Sequence, residues 1–264
     1  MERIASDKPA AIQYGKARKN SSRYRIDWIA GGRHKNEMTA RLKASFGHAP
    51  DDLLAYFSEL ASEAFVASNA DARGELLSID AAIAETRMLD GLHPLMSMLG
   101  ALVLDETNTS DYHVYLAKPP LQGCIMFLSH DGESRIVYDS PQRFLDAVKA
   151  GTNYSSLEDL HPLHSPIVAD QSGLARFIEA NLDHDDVDMI MSVAIGCLEV
   201  EDTALTRQLA THDDFYVVEA LGEAITLRPA PELLGLADLC AAHPHPQAAQ
   251  AGRRAQRAIE ARPA

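Results

Sequence analysis

The sequence lacks any apolar run long enough to cross a bilayer. Stretches such as Cys124-Ile125-Met126-Phe127-Leu128 fall far short of the roughly 20 residues that a spanning helix needs, so no membrane function is expected. Residues Met1 to Ala11 carry charges and no continuous apolar core, which a secretory signal requires, and a cytoplasmic location is therefore expected. Cysteine is scarce. The three present, Cys124, Cys197 and Cys240, are odd in number and sit among apolar neighbours, the setting of small buried hydrophobes in a reducing compartment and not of a disulfide framework. No Gly-x-Ser-x-Gly elbow, phosphate-binding glycine loop with Lys-Ser/Thr or dinucleotide fingerprint occurs. The linear signatures of nucleophilic hydrolysis and nucleotide chemistry are thus missing, although a site gathered from distant residues leaves no such trace.

What is present is an ordinary globular composition: 264 residues, 46% hydrophobic and 23% charged, room for two domains with real cores. The net charge of −14 is unevenly spread, because residues 1–43 hold 11 Lys/Arg against 4 Asp/Glu and residues 44–264 hold 13 against 34. Residues 1–25, with Lys16, Arg18, Lys19, Arg23 and Arg25 around Asn20, Ser21 and Ser22, read as a basic flexible arm. It lacks the aromatic interleaving of a nucleic-acid contact, and the acidic body behind it would oppose one. That body repels phosphate backbones and steers cationic proteins toward itself. The plainer reading of the same charge is solubility.

The pattern along the chain divides near residue 165. From Asn36, and again after Pro50 with Leu53, Leu54, Phe57, Leu60 and Ala61, apolar spacing is helical, and Pro50-Asp51-Asp52 forms a good helix start. Glu75 to Ile79 reads as a short strand leading to a helix over about Asp80–Met88, capped by Ser78 or Asp80. Met96 to Leu104 reads as one or two buried strands, Asp111 to Leu116 as a strand, and Gly123–Leu128 with Arg135–Tyr138 as a hairpin about Asp131-Gly132. Ser140-Pro141 starts a helix with Phe144, Leu145 and Val148 on its buried stripe. Beyond Gln171 every apolar pattern is helical. The sets are Leu174/Phe177/Ile178, Val187/Ile190/Met191/Ala194/Leu198, Phe215/Val218/Gly222/Ile225, Leu233/Leu236/Ala237/Cys240 and Ala251/Ala255/Ala258/Ile259, and such short helices must stack to bury their stripes. The expected fold class is α+β, a mixed sheet with flanking helices over 26–164 followed by an all-α repeat segment over 165–264.

Four features resemble the SUKH superfamily of bacterial immunity proteins. They are Ala49-Pro50-Asp51-Asp52-Leu53-Leu54-Ala55-Tyr56-Phe57, Glu75-Leu76-Leu77-Ser78-Ile79-Asp80-Ala81-Ala82-Ile83, the hairpin at His130-Asp131-Gly132-Glu133, and Asp139-Ser140-Pro141-Gln142-Arg143-Phe144-Leu145. The likeness covers under half the chain and departs from the family at the glycine- and acid-rich strand entry, where Leu99-Gly100-Ala101-Leu102 stands. Residues 170–262 resemble HEAT-type helical repeats in rhythm. The resemblance implies a protein that binds and neutralises a cognate polymorphic toxin, such as a nuclease or other nucleic-acid-acting protein. A cationic protein partner would then be met by carboxylates through charge-assisted bonds. Rival readings are an interaction adaptor or scaffold, and an enzyme whose site is scattered through the α/β half.

The candidate partner-binding residues are Asp183, Asp185, Asp186, Asp188, Glu199, Glu201, Asp202, Asp213 and Asp214. All fall at expected helix ends, where turns of a stacked repeat align into one ridge. Each alone is also explained as a helix-terminal charge. Asp183, Asp185 and Asp186 match a calcium loop only in part, without its glycine or terminal glutamate. The pairs His161/His164 and His243/His245 lack a metal-ligand setting and read as turns, and His130-Asp131 reads as a wet hairpin tip without a partner to tune it. No catalytic residue, metal or cofactor is expected, and neither a direct nucleic-acid nor a membrane contact is.

Overall fold

In the computed structural model the described residues are 32–68, 75–89, 91–106, 110–131, 134–151 and 154–262; the basic arm expected over 1–25 and the hairpin tip Gly132-Glu133 lie outside them. The chain is a mixed α+β protein in which helices dominate a small four-stranded antiparallel sheet. Helices α1 (Gly32–Phe46), α2 (Asp51–Leu60), α3 (Glu63–Ser68), α4 (Ile79–Met88) and α5 (Pro94–Leu99) precede the strands. The sheet is β1 (Ala101–Val103), β2 (Tyr112–Leu116), β3 (Ile125–Leu128) and β4 (Arg135–Tyr138), in that spatial order, followed by α6 (Pro141–Ala150) and a 3-10 turn at Leu157–Leu160. Then come α7 (Gln171–Ala180), α8 (Val187–Gly196), α9 (Ala204–Ala210), α10 (Phe215–Leu227), α11 (Leu234–Ala241) and α12 (Pro246–Glu260).

Local chemistry accounts for most boundaries. Ser78 and Ser140 accept from the N–H groups of Ala81 and Arg143 at the starts of α4 and α6, each satisfying an otherwise orphaned donor. Two expectations are corrected. The strand expected over Glu75–Ile79 is a single bridge, Leu76 with Asp105, because Ser78 already caps α4 and leaves no length for a ladder. The strands expected over Met96–Leu104 reduce to three-residue β1, since Pro94 opens α5, His93 caps it through Nδ1 and Gly100 closes it at φ 66°. A left-handed turn of that kind favours glycine. The five apolar patterns expected after Gln171 correspond to six helices, because short α9 offers only Leu205 and Leu209 as large buried side chains.

From β1 through β3 the register is continuous, with Leu102 opposite Tyr115, Val103 opposite Val114, His113 opposite Phe127 and Val114 opposite Met126; between β3 and β4 it shifts at Ile125/Met126. Alternation therefore sends His113, Tyr115, Ile125 and Phe127 to one face and Val114, Leu116, Met126 and Leu128 to the other. The first face packs on Leu42, Leu53, Tyr56, Phe57, Phe144 and Val148 of α1, α2 and α6. The second packs on Leu95 and Leu99 of α5 and is continuous with the core of α7 to α12, through residues such as Ile178, Ile190, Val193 and Leu221. Across residue 165 the sheet and the helical stack thus share one core, within the single unit Gly31–Ala264. Covered on both sides, β2 is buried at every position after Tyr112, as strands between two helical layers are. Cys124, Cys197 and Cys240 are buried free thiols, and burial pushes Cys124 and Cys240 up to about 12.

Candidate functional site

The helical stack is tied at its turns by side chains. At one end, His184 Nδ1 accepts from the Asp186 N–H at 3.0 Å, His212 Nδ1 from the Asp214 N–H at 3.0 Å and His243 Nδ1 from the His245 N–H at 3.1 Å. An acceptor at Nδ1 leaves the neutral ring's hydrogen on Nε2. From there His212 donates to Leu182 O at 3.3 Å and His243 donates to His212 O at 3.2 Å. Three turns, those after α7, α9 and α11, are thereby joined in a ladder. At the other end, Gln171 bonds Val168 O, Cys197 O and the Glu199 N–H, while Arg228 Nη2 donates to Gly196 O at 2.9 Å.

The nine carboxylates singled out in the sequence do not share one face. Asp183, Asp185, Asp186, Asp188, Asp213 and Asp214 gather at the laddered end, whereas Glu199, Glu201 and Asp202 follow the far end of α8. The ten residues of α8 separate the two groups by about 15 Å at 1.5 Å per residue. Antiparallel helices alternate their turns between ends, so only every second turn can join one ridge. Within the larger group Asp183, Asp185, Asp186 and Asp213 are exposed, and Asp188 and Asp214 are half-buried. Asp214 caps α10 by accepting from the Tyr216 N–H at 2.8 Å, so its charge is partly committed. Among the described residues no Lys or Arg pairs with these six, Asp186 meeting only His184 at 3.7 Å. At the opposite end Asp202 pairs with Arg207 at 2.5 Å.

A second polar cluster, which the sequence did not announce, lies between the first sheet face and the segment after the 3-10 turn. Asp105, just past β1, is fully buried and accepts the His113 backbone N–H at 2.6 Å through Oδ1, while Oδ2 lies 2.6 Å from His113 Nδ1. His113 Nε2 in turn lies 2.7 Å from His161 Nε2. His113 stacks on Phe144 at 4.8 Å and His161 meets Phe127 edge-on at 4.8 Å. Burial, then the His113 and Arg135 charges, hold His161 down to about 3. Burial and then Asp105 push the Glu75 carboxyl up, and Glu75 Oε2 is buried without a partner. Such a chain can hold and pass a proton. The groove of about 600 Å³ lined by Pro119, Cys124, Asp139, Arg143, Ile167 and Asp170 does not include any of the three. The 8 and 48 residues that separate Asp105 and His161 from His113 explain why no linear motif announced them.

His130 has a partner after all: its Nδ1 lies 3.0 Å from Asp111 Oδ1, and that hydrogen bond and the Asp131 charge raise its pKa. Asp111 comes from the neighbouring strand's entry, not from the turn itself. Among the described residues no group of three or more His, Cys, Asp or Glu could hold a metal ion, and no helix is long and apolar enough to cross a membrane.

Comparisons with protein families, curated proteins and solved structures find no match to this chain.

Proposed function

We propose that this chain is a protein-binding module that holds a basic protein partner on the laddered end of its helical stack. The partner suggested by the SUKH resemblance is a nucleic-acid-acting toxin neutralised by occlusion. The observation that carries the reading is the set of turns tied by His212 and His243, which presents Asp183, Asp185, Asp186 and Asp213 to solvent without a Lys or Arg partner among the described residues. Fixed turns need little ordering on association, so less binding energy is lost to immobilising them. Carboxylates without internal partners remain available to a cationic surface, and their field would speed its approach. A site that a toxin uses to grip phosphate carries such a surface.

The test is growth rescue of a host expressing a basic nuclease toxin, with the chain or its Asp183→Asn, Asp185→Asn, Asp186→Asn, Asp213→Asn variant supplied together with it. Rescue by the unaltered chain and its loss in the variant are expected, with affinity falling as salt rises. Rescue undiminished in a folded variant, or binding indifferent to salt, would overturn the assignment of this face.

A further inference from the structure

The laddered end carries a pile of three rings beside its carboxylates. Phe215 opens α10, and its ring centre lies 4.0 Å from that of Tyr216 at 33° and 3.7 Å from that of His245 at 18°. At contact distances of this kind two rings cannot occupy the same face of a third, so Phe215 is sandwiched between Tyr216 and His245. Tyr216 is the outer ring, with 46% of its surface exposed. Since Phe215 covers one face, that exposure belongs to the other face and the hydroxyl edge. Backbone bonds hold both outer members of the pile: the Tyr216 N–H donates to Asp214 Oδ1 at 2.8 Å and the His245 N–H donates to His243 Nδ1 at 3.1 Å. Asp213, in the turn that leads to Tyr216, is exposed and has no Lys or Arg partner among the described residues.

We propose that Tyr216 and Asp213 form an arginine subsite, in which a guanidinium of the basic partner lies flat on the outer face of Tyr216 and turns its N–H groups to the Asp213 carboxylate. The proposal rests on the laddered end being the partner-binding face, and adds the side chain which that face selects. The negative face of an aromatic ring attracts a cation. A guanidinium is planar, weakly hydrated and forked, so it stacks on a ring while offering parallel N–H groups to a carboxylate. An ammonium is compact and strongly hydrated, and has no plane to lay on the ring. Carboxylates attract either cation; the ring is what separates them. Phe215 and His245 behind Tyr216 hold it in place, so little rotamer freedom is lost on contact. The neighbouring turn, with Asp183 and Asp185, abuts this one through the bond from His212 Nε2 to Leu182 O at 3.3 Å, whereas the turn at 242–245 holds no Asp or Glu. Tyr216 therefore stands at the border of the acidic face, where one anchored arginine sets the register of basic residues laid toward Asp183.

The experiment is calorimetric titration of the full chain at low salt with two peptides of equal charge, hexa-arginine and hexalysine. Hexalysine reads the acidic face, and the difference between the peptides reads the ring. Tyr216→Ala, at an exposed position, should weaken hexa-arginine about two- to fivefold, the worth of one exposed cation–ring contact, and leave hexalysine unchanged. Tyr216→Phe keeps the ring and should bind both peptides as the unaltered chain does. In proton spectra the hexa-arginine δ-protons should move upfield with the unaltered chain and less with Tyr216→Ala. Equal weakening of both peptides by Tyr216→Ala, or of neither, would overturn the arginine subsite and leave the acidic face standing. Hexalysine binding undiminished in the Asp183→Asn, Asp185→Asn, Asp186→Asn, Asp213→Asn variant would overturn that face, and the subsite with it.

Discussion

The two faces of the sheet are buried by different chemistry. On the α1, α2 and α6 side the packing is aromatic and carries polar atoms inward: Tyr56, Tyr115 and Asp105 are buried there, and Phe144 stacks against Tyr56 and His113. On the α5 and α7–α12 side it is aliphatic, with Val114, Leu116, Met126 and Ile136 meeting Leu, Ile, Val and Ala of the stack. The first face needs its polar groups paired, and Tyr115 Oη donating to Asp52 at 3.0 Å shows how one is satisfied. The second needs only volume. A change of charge should therefore break the first region, and a change of size the second.

Acidification should have the largest effect, because it reaches both regions. Burial holds His161 down to about 3 and His93, at the start of α5, down to about 4, in the latter case against the opposing Asp186 and Asp188 charges. Free imidazole titrates near 6.5, so below that pH the unfolded chain binds more protons than the folded one. Stability should fall as pH drops from about 6.5 toward about 4, with a slope approaching two protons, measured by urea midpoints across that range. His161→Phe together with His93→Asn should flatten the profile. Asp105→Ala comes next. It strips the acceptor from two buried His113 donors and should lower stability by about 3–5 kcal/mol, and a cost below about 1 kcal/mol would mean that the polar face tolerates lost pairing.

The matching test of the aliphatic region is Gly252→Ala. A Cβ there would meet Ala241 N at 2.2 Å and Cys240 C at 2.6 Å, both backbone atoms, so α11 and α12 must part. A loss of about 1–3 kcal/mol is expected, read as a lowered thermal midpoint. His212→Ala removes the Asp214 N–H acceptor and the bond to Leu182 O and should cost about 1–2 kcal/mol. Increased exchange at the 182–186 and 212–215 amides would localise the damage to the ladder. The smallest effect on stability belongs to Asp183→Asn with Asp185→Asn, both exposed, which should change it by under about 0.5 kcal/mol. A larger loss would show these carboxylates to be structural instead of free to meet a partner.

Legibility in the sequence followed the range of the interaction. The caps at Ser78 and Ser140 and the alternation of β2 are nearest-neighbour effects, and these were readable. The helix of α5 was misread as strand, because six residues of Pro-Leu-Met-Ser-Met-Leu carry no resolvable period, and His93 was not recognised as a cap. Of the ladder histidines His243 reads from the sequence as a turn residue, but the Nε2 partners of His212 and His243 lie 30 and 31 residues away. The acidic set was correctly placed at helix ends and wrongly joined into one ridge, since composition does not say which end of the stack a turn occupies.

By itself the sequence determined the uneven charge, the hairpin that joins β3 to β4, and the helical rhythm after Gln171, all consequences of local spacing and of residue chemistry. Only the tertiary structure decided that Asp105, His113 and His161 meet, that six carboxylates of nine share an end, and that the sheet is buried from both sides. Each of these depends on which elements pack together, a choice made by the shared burial of many apolar side chains and carried by no single stretch of chain.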